Sequence, residues 1–264
     1  MPYVVAVAGK GGTGKTTLAA LLVRHIGEKP GRHAVLAIDA DPNSNLHEAL
    51  GLEVETTVAD LLEETKAERP LPGGMTKTQF IHYKLQSALV ETEKVDLLSM
   101  GTPEGPGCYC YPNDLLRGHM ADLAGNYEYL ILDNEAGLEH LSRRVAEDVD
   151  YLLVVSDATA RGLRSAARVG ELVRDLKTKV GRLGLAVTKV RGSGGAGGAG
   201  AAGAPDELAA LAPEIVKTGL ELVGTVPYDE DIVRFDLEGK PLVALPATSP
   251  SVQAVSEIAR KIGL

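Results

Sequence analysis

Gly9-Lys10-Gly11-Gly12-Thr13-Gly14-Lys15-Thr16-Thr17 lies between an apolar run at residues 3–8 and a helical pattern at residues 18–26. Closely spaced glycines let consecutive backbone N–H groups point at one anion, and the N-terminus of the following helix adds positive potential. Lys15 supplies a further positive charge, and Thr16 can place its hydroxyl on magnesium. The sequence therefore predicts a nucleotide phosphate-binding loop in which all nine of these residues contact the nucleotide.

A dinucleotide-binding loop is the alternative interpretation of the same glycines. Residues 9–14 also satisfy the pattern G-x-G-x-x-G, and Asp39 lies about where a dinucleotide fold keeps the acid that binds ribose. However, Lys15 and Thr16 complete the phosphate-loop pattern, and a dinucleotide fold has no special use for two lysines and two threonines here. The pattern therefore favours ATP over a dinucleotide.

Composition favours one α/β domain over residues 1–264 that stays in the cytoplasm. Apolar residues make up 44% of the chain, and no hydrophobic run is long enough to cross a bilayer. Met1-Pro2-Tyr3 leads directly into a strand pattern without an export signal, so we expect reduced thiols and no membrane partner. The net charge of −9 argues against non-specific binding of nucleic acid.

Seven apolar runs alternate with helical patterns along the chain. The runs are continuous, as expected when helices cover both faces of a parallel sheet. We therefore predict a doubly wound, mostly parallel sheet of the P-loop NTPase class, flanked by helices. Residues 192–204 are almost entirely Gly, Ala and Ser, which predicts a flexible insertion before a helix from about residue 205. The predicted strands are 3–8, 34–39, 95–100, 129–133, 151–156, 182–188 and 222–226, and other predicted helices include 114–124, 138–148 and 161–176.

Three aspartates follow predicted strands. Asp39 and Asp41 come at the end of the second strand, and Asp133 ends the fourth. Ligands of open parallel sheets bind at the carboxyl ends of the strands, so these side chains should face the phosphate loop. Magnesium prefers oxygen ligands and keeps several waters, which makes Asp39 and Asp133 its expected outer-sphere partners beside Thr16. The alternative for Asp41, which precedes Pro42, is turn formation.

The second lysine of the loop, Lys10, distinguishes this loop from an ordinary phosphate loop. It resembles the loop of the dimeric ATPases that include MinD, ParA, the arsenite-pump ATPase and the nitrogenase iron protein. The resemblance implies a homodimer that hydrolyses ATP, with Lys10, Lys15 and Asp41 as catalytic residues. Lys10 would reach the ATP of the other subunit as an arginine finger does, and Asp41 would polarise the attacking water. A solvated loop lysine is the alternative for Lys10.

Both cysteines of the chain lie in one stretch, Glu104-Gly105-Pro106-Gly107-Cys108-Tyr109-Cys110-Tyr111-Pro112. Cys108 and Cys110 can offer two thiolates on one side of an extended segment, which suits zinc, nickel or monovalent copper. Four donors complete a tetrahedral or square-planar site, and a two-fold dimer would bring two such loops together. We therefore predict a metal-binding loop at about residues 101–113. Two small buried side chains, or an adventitious zinc site, are the alternative.

Longer stretches resemble the CooC/AcsF group of nickel-maturation ATPases. The resemblance implies a nickel-inserting ATPase whose client is apo carbon monoxide dehydrogenase or apo acetyl-CoA synthase. It also implies ATP, Mg²⁺ and nickel as ligands, with Cys108 and Cys110 holding the nickel between subunits, although zinc is possible in the same site. The similar stretches are Gly74-Met75-Thr76-Lys77 through Ala88-Leu89-Val90-Glu91, Asp96-Leu97-Leu98-Ser99-Met100-Gly101, Pro103 through Cys110, and Glu135-Ala136-Gly137-Leu138-Glu139-His140-Leu141-Ser142-Arg143.

Two positions depart from the wider ATPase pattern. Asn134 stands where a threonine is expected after the fourth strand, and Thr188 stands where the class usually has an asparagine that binds adenine. Base selectivity is therefore less certain than phosphate binding. Pro227-Tyr228-Asp229 still resembles the adenine-flanking loop, so Pro227 and Asp229 are assigned to nucleotide contact, with turn formation by the proline as the alternative.

Two other functions remain open. A positioning or partitioning ATPase like MinD or ParA would need an amphipathic membrane-binding tail or a basic DNA-binding surface, whereas residues 252–264 have an ordinary core pattern. An iron–sulfur reductase like the nitrogenase iron protein would need cysteines near Asp133, where the sequence has none. The nickel chaperone is therefore the preferred hypothesis.

Overall fold

The structure, a computed structural model, describes residues 1–31, 33–41, 43–67, 74–101, 123–134, 148–175, 179–191 and 207–264. Within these ranges seven strands form one sheet, and helices cover both of its faces, which confirms the predicted α/β fold. In chain order the elements are β1 (Tyr3–Gly9), α1 (Lys15–Gly27), β2 (Val35–Ala40), α2 (Leu46–Leu50), α3 (Val58–Ala67), α4 (Lys77–Ser87), β3 (Asp96–Ser99), β4 (Tyr129–Asn134), β5 (Asp148–Asp157), α5 (Ala160–Asp175), β6 (Lys179–Val190), α6 (Glu207–Lys217), β7 (Glu221–Pro227), α7 (Glu230–Leu237), a short 3₁₀ helix (Leu242–Ala244) and α8 (Pro250–Ile262).

The strand order is β3-β2-β4-β1-β5-β6-β7, and neighbouring strands of the sheet all pair in parallel. The chain winds from the central β1 to β2 and β3, returns to β4, and then continues on the other side of β1. The carboxyl ends of β1, β2 and β4 therefore lie side by side, with Asp39 opposite Asp133 in the register. A reversal of winding direction of this kind is where open sheets bind their ligands.

Consecutive residues of β1 enter two different cores. Val5 and Val7 pack in the core that includes α1 and α8, whereas Val4, Ala6 and Ala8 belong to the core that includes α3, α4 and α5. Because both faces of the strand are covered, apolar side chains suit both faces. This packing explains the uninterrupted apolar runs on which the prediction of a parallel sheet depends.

All seven predicted strands are confirmed, and the differences concern where elements begin and end. β5 begins at Asp148, so the prediction that a helix extends to that residue is wrong, because Asp148 pairs with Lys179 of β6. α5 and α6 match the helices predicted at 161–176 and from about 205 to within two residues. The other predictions on 102–122, 135–147 and 192–206, including the metal-binding loop and the flexible insertion, lie outside the described residues.

The C-terminal helix α8 packs one face against β7 and α1, as its sequence pattern predicts. Ser249 is its N-cap and accepts a hydrogen bond from the backbone N–H of Val252. None of the described helices has both the length and the apolar composition needed to span a bilayer. The buried apolar side chains of α8 are Val252, Val255, Ile258, Ala259 and Ile262.

Candidate functional site

The phosphate loop joins β1 to α1 through backbone conformations that favour glycine. Gly12 and Gly14 have φ angles of 77° and 85°, and Gly14 is the N-cap of α1. At Gly9 a side chain has no room, because its Cβ would lie 2.2 Å from the carbonyl oxygen of Val155. Lys15 is only 6% exposed, so its charge is held within the loop. These positions follow the loop geometry that the sequence predicts.

The end of β6 holds this loop from the other side. The Thr188 hydroxyl donates to the carbonyl of Thr13 at 2.6 Å, and the Lys189 ammonium donates to the carbonyl of Gly12 at 2.7 Å. Lys189 has a φ of 57°, which is uncommon for a residue with a side chain and often marks a functional position. The sequence analysis named Thr188 for base selectivity and missed Lys189, because a left-handed lysine at the end of a strand leaves no pattern in the sequence.

The carboxylates of Asp39 and Asp133 are buried side by side at the ends of β2 and β4. Asp39 accepts hydrogen bonds from the backbone N–H groups of Leu46 at 2.9 Å and Asp41 at 3.2 Å. Asp133 is 1% exposed, and neither of its carboxylate oxygens has a hydrogen-bond partner among the described residues. An unpartnered buried carboxylate in a native protein calls for a ligand or a functional role.

Both carboxylates resist ionisation. Burial raises the pKa of Asp133 to about 7, against the opposing effect of the Thr16 hydroxyl, and the negative charge of Asp39 adds to the rise. Burial likewise raises the pKa of Asp39 to about 6, although its two backbone hydrogen bonds lower it. A nearby cation would favour the ionised forms.

Mg²⁺ fits these residues chemically. The orphaned oxygens of Asp133 and the Thr16 hydroxyl near them are the hard oxygen donors that Mg²⁺ prefers. Within the described ranges, no three His, Cys, Asp or Glu side chains are grouped as a complete metal site. Mg²⁺ in nucleotide sites takes one or two carboxylates and completes its shell with phosphate oxygens and water. The predicted set of Thr16, Asp39 and Asp133 therefore needs no further side chain.

Asp41 forms the turn that is one of the two interpretations of its sequence context. Its Oδ1 accepts from the backbone N–H and the side-chain amide of Asn43, both at 2.9 Å, and its carbonyl accepts from the Ser44 N–H at 2.9 Å. These bonds form the turn. Its Oδ2 accepts no hydrogen bond from the described residues, and Asp41 also lines the adjoining cleft. The turn therefore positions Asp41 and leaves one oxygen for another partner.

A cleft of about 900 Å³ opens beside the loop, which is within the range of small-molecule sites. A smaller apolar cavity of about 90 Å³ adjoins it between the loop and β7. The pair of volumes suits a polyphosphate beside an apolar base. The predicted loop residues that line the cleft are Gly11, Gly12, Gly14, Lys15, Thr16 and Thr17. The cleft is also lined by four residues that the sequence analysis did not assign, Asn43, Asn45, Arg191 and Tyr228.

Lys10 is exposed at the start of the loop. Its backbone carbonyl accepts from the N–H and hydroxyl of Thr13, at 3.4 and 2.8 Å, but in the part of the chain that the structure describes its ammonium has neither a hydrogen bond nor an ion pair. An exposed, unpaired ammonium is what a lysine acting across a dimer interface requires. A solvated loop lysine has the same geometry.

Pro227 and Asp229 both line the small apolar cavity. Burial alone would raise the pKa of Asp229, but hydrogen bonds from Ser249, Ser251 and Asp231 outweigh it and lower the pKa. Asp229 is the N-cap of α7, and the Ser249 hydroxyl donates to it at 2.6 Å. Its carboxylate is thus already occupied by protein donors, and its contribution to the cavity is to hold the wall in place.

Two further positions can be placed against the sequence. Asn134, which replaces an expected threonine, is buried and donates from its amide to the carbonyl of Val7 at 3.1 Å, so it ties β4 to the central strand. Cys108 and Cys110 lie outside the described residues. The nickel site therefore stays a prediction from the sequence.

Comparison with known proteins identifies the type of site. Residues 4–242 match the model of the CobQ/CobB/MinD/ParA nucleotide-binding domain. The chain belongs to this family. Members of the CobQ/CobB/MinD/ParA family bind nucleotides with a P-loop, so membership excludes the dinucleotide fold and agrees with the loop and cleft described above.

Individual relatives give the same family with different names. An uncharacterised ATP-binding protein of Methanocaldococcus jannaschii is 42% identical over 262 residues, which is 98% of each chain. The carbon monoxide dehydrogenase accessory protein CooC of Rhodospirillum rubrum is 38% identical over 188 residues, 66% of this chain and 70% of that protein. The structure of MinD with Mg-ADP from Pyrococcus horikoshii has a TM-score of 0.68 at 23% identity and covers 100% of this chain and 96% of its own, which supports the fold.

Proposed function

We propose that this chain is an ATP-hydrolysing nickel chaperone that serves in the maturation of carbon monoxide dehydrogenase or acetyl-CoA synthase in the cytoplasm. The observation that carries the proposal is the Cys108-Tyr109-Cys110 sequence in a P-loop family member whose loop contains the additional Lys10. Neither phosphate binding nor magnesium binding needs two neighbouring thiols. The similarity to a carbon monoxide dehydrogenase accessory protein supports nickel as the cargo.

In this proposal the described residues of the loop and of the neighbouring strand ends carry out ATP hydrolysis. The loop N–H groups and Lys15 would hold the β- and γ-phosphates, and Thr16, Asp39 and Asp133 would hold Mg²⁺. When bound, the metal ion neutralises charge on the phosphate oxygens. The free Oδ2 of Asp41 would accept a hydrogen bond from the attacking water and orient it toward the γ-phosphate.

A homodimer would complete both the nucleotide site and the cargo site. Lys10 of one subunit would contact the ATP of the other and stabilise the charge that develops in the transition state. Two copies of Cys108 and Cys110 would give four thiolates, which is the donor number for a tetrahedral zinc or square-planar nickel ion. Because both sites then depend on the same dimer, nucleotide and metal would each change the affinity for the other.

The decisive experiment is a nickel titration of the reduced, metal-free protein, with thiolate-to-nickel absorbance and dimer mass followed together. Each titration is repeated with ADP and with a non-hydrolysable ATP analogue. We expect one nickel per dimer, an affinity that changes with the nucleotide, and complete loss in the Cys108→Ser/Cys110→Ser variant. Nickel binding that persists in the double variant, or that is absent in every nucleotide state, would contradict the proposal.

A positioning ATPase is the second candidate, favoured by the similarity of the fold to MinD. Such a protein would need a membrane- or DNA-binding surface that responds to ATP. The α8 helix argues against a membrane tail, because its apolar face is buried in the core. Co-sedimentation with anionic vesicles or duplex DNA, in the presence of the ATP analogue, distinguishes this function from metal delivery.

A further inference from the structure

Helix α5 carries a row of exposed arginines along one face. Arg161, Arg164 and Arg168 are spaced three and four residues apart, so they follow one another on the same side of the helix over about 10 Å. Leu172 continues the row four residues later and is 52% exposed. We call these four residues the arginine face.

The arginine face opposes the stability of the helix that carries it. Like charges three and four residues apart destabilise a helix, and a cation in the first turn is repelled by the positive end of the helix dipole. Arg161 lies in that first turn, which contains no acidic residue. The chain has 36 acidic and 27 basic residues, so acidic residues are common enough to occupy the first turn of this helix. A helix selected for stability alone would carry acids at its beginning.

The three arginines also lack compensating partners. None of them forms a hydrogen bond or an ion pair in the part of the chain that the structure describes. Arg164 is near enough to Glu214 of α6 to help lower the pKa of that carboxyl, but the first cause is the hydrogen bond from Lys217, at 2.7 Å. Among the described residues, therefore, no hydrogen bond or ion pair competes with a ligand for the three guanidinium groups.

The position of α5 connects this face to the nucleotide cleft. Asp157 and Thr159, which precede the helix, line the cleft. Thr159 caps the helix by accepting a hydrogen bond from the N–H of Gly162 at 2.9 Å. Gly162 leaves no space between the helix and the strand end, since a Cβ there would lie 1.9 Å from Oδ1 of Asp157. A ligand bound to Arg161 would thus contact an element fixed directly to the cleft.

We propose that the arginine face is a docking surface for an acidic, amphipathic helical segment of a partner protein. Carboxylates would pair with the three guanidinium groups, which accept them in bidentate geometry, and an apolar side chain of the segment would cover Leu172. Arginine beside exposed aliphatic side chains is a combination typical of protein interfaces.

The surroundings favour a protein segment over nucleic acid. Leu172 is 52% exposed and offers no hydrogen-bond donor to a phosphate backbone, whereas an apolar side chain of a protein segment can cover it. This surface does not involve the cysteines, so the inference stands independently of the metal that the protein carries.

Binding of a defined probe tests the inference. The probe is a fluorescent helical peptide with glutamates spaced three and four residues apart and a leucine four residues further on, and fluorescence anisotropy gives its affinity. A permuted peptide of identical composition is the control for register. We expect the first peptide to bind more tightly than the permuted one, with affinity falling as salt rises. Equal binding of the two peptides would overturn the inference.

Matched variants of the protein locate the binding site. Arg161→Gln/Arg164→Gln/Arg168→Gln should weaken peptide binding about 10-fold, leave basal ATP turnover unchanged, and raise the melting temperature by relieving repulsion. The control changes three exposed arginines on other elements, Arg182→Gln/Arg234→Gln/Arg260→Gln, and should bind the peptide as the wild type does.

Three results would overturn the assignment of this face to an acidic segment. The first is equal loss of peptide binding in both triple variants. The second is selective loss of duplex DNA binding in the α5 variant while peptide binding is retained, which would assign the face to nucleic acid. The third is a lower dimer mass of the α5 variant in light scattering, which would assign it to a second copy of the chain. A lower melting temperature of the same variant would refute the stability argument.

Discussion

Replacing Asp133 by asparagine should stabilise the nucleotide-free protein at pH 8 and change its stability little at pH 5. The pKa of Asp133 is raised by burial from its ordinary value of 3.8 to about 7. The folded state therefore binds more protons than the unfolded state between about pH 4 and pH 7, and the free energy of unfolding falls as the pH rises through this window. Asparagine has the same shape and does not titrate, so it removes this loss.

The size of the effect follows from the two pKa values. The cost of ionising Asp133 on folding grows from about 2 kcal/mol at pH 5 to about 4 kcal/mol at pH 8, a difference on the order of 2–3 kcal/mol. Burying an amide without a partner costs about 1–3 kcal/mol, but that cost is the same at both pH values and cancels in the difference. Urea unfolding of wild type and Asp133→Asn at pH 5 and pH 8 measures it directly.

The opposite sign is expected for Asp229→Asn. Hydrogen bonds lower the pKa of Asp229 despite its burial, so its ionised form stabilises the fold above its pKa, and asparagine should destabilise the protein at pH 8.

If Asp133→Asn changes the free energy of unfolding equally at pH 5 and pH 8, then Asp133 is not the unpartnered buried carboxyl that the structure describes. Greater stability of Asp229→Asn at pH 8 would contradict the same reasoning from the other direction.

Three predictions concern ATP binding and hydrolysis. Lys10→Ala should retain ATP binding and lose hydrolysis by roughly 10³-fold, because the ammonium would act only in the transition state; unchanged turnover of the variant would exclude a trans-acting role. Asp41→Ala should accumulate an ATP-bound dimer, which size-exclusion chromatography with labelled ATP detects, whereas normal phosphate release would show that another residue orients the water. Lys189→Met should weaken ATP binding about 10-fold by removing the 2.7 Å hydrogen bond to the Gly12 carbonyl, with a smaller effect on kcat, and Lys189→Arg should restore part of it; equal affinity in the methionine variant would show that this bond does not hold the loop.

The phosphate loop and the sheet could be predicted from the sequence because each has a local pattern. Gly12 and Gly14 occupy backbone conformations that favour glycine, and the apolar strands have cores on both faces. Lys189 could not be found in this way. Its role depends on a left-handed backbone at the end of β6 and on a contact with a loop more than 170 positions earlier in the chain. Sequence spacing contains no information about such a contact.

The acidic residues show the same division between local and tertiary information. The sequence shows that Asp39 and Asp133 each follow a strand. The same sequence pattern is compatible with several strand orders, and the order β2, β4, β1 is only one of them. Their placement directly opposite each other in the register comes from β4 lying between β2 and β1. The raised pKa values are a consequence of that pairing and of burial, which no single segment of sequence specifies.

Two groups of residues in this chain reduce the stability of the elements that carry them. Asp133 is buried without a hydrogen-bond partner among the described residues, and Arg161, Arg164 and Arg168 repel one another along α5. Natural sequences mostly follow the preferences of local structure, and the exceptions concentrate at functional sites. These two exceptions therefore indicate bound ligands. The ligands should have opposite charges, a cation at Asp133 and carboxylates at the arginines. Because Asp157 and Thr159 line the cleft at the beginning of α5, a partner on the arginine face and a nucleotide in the cleft would both contact this end of the helix.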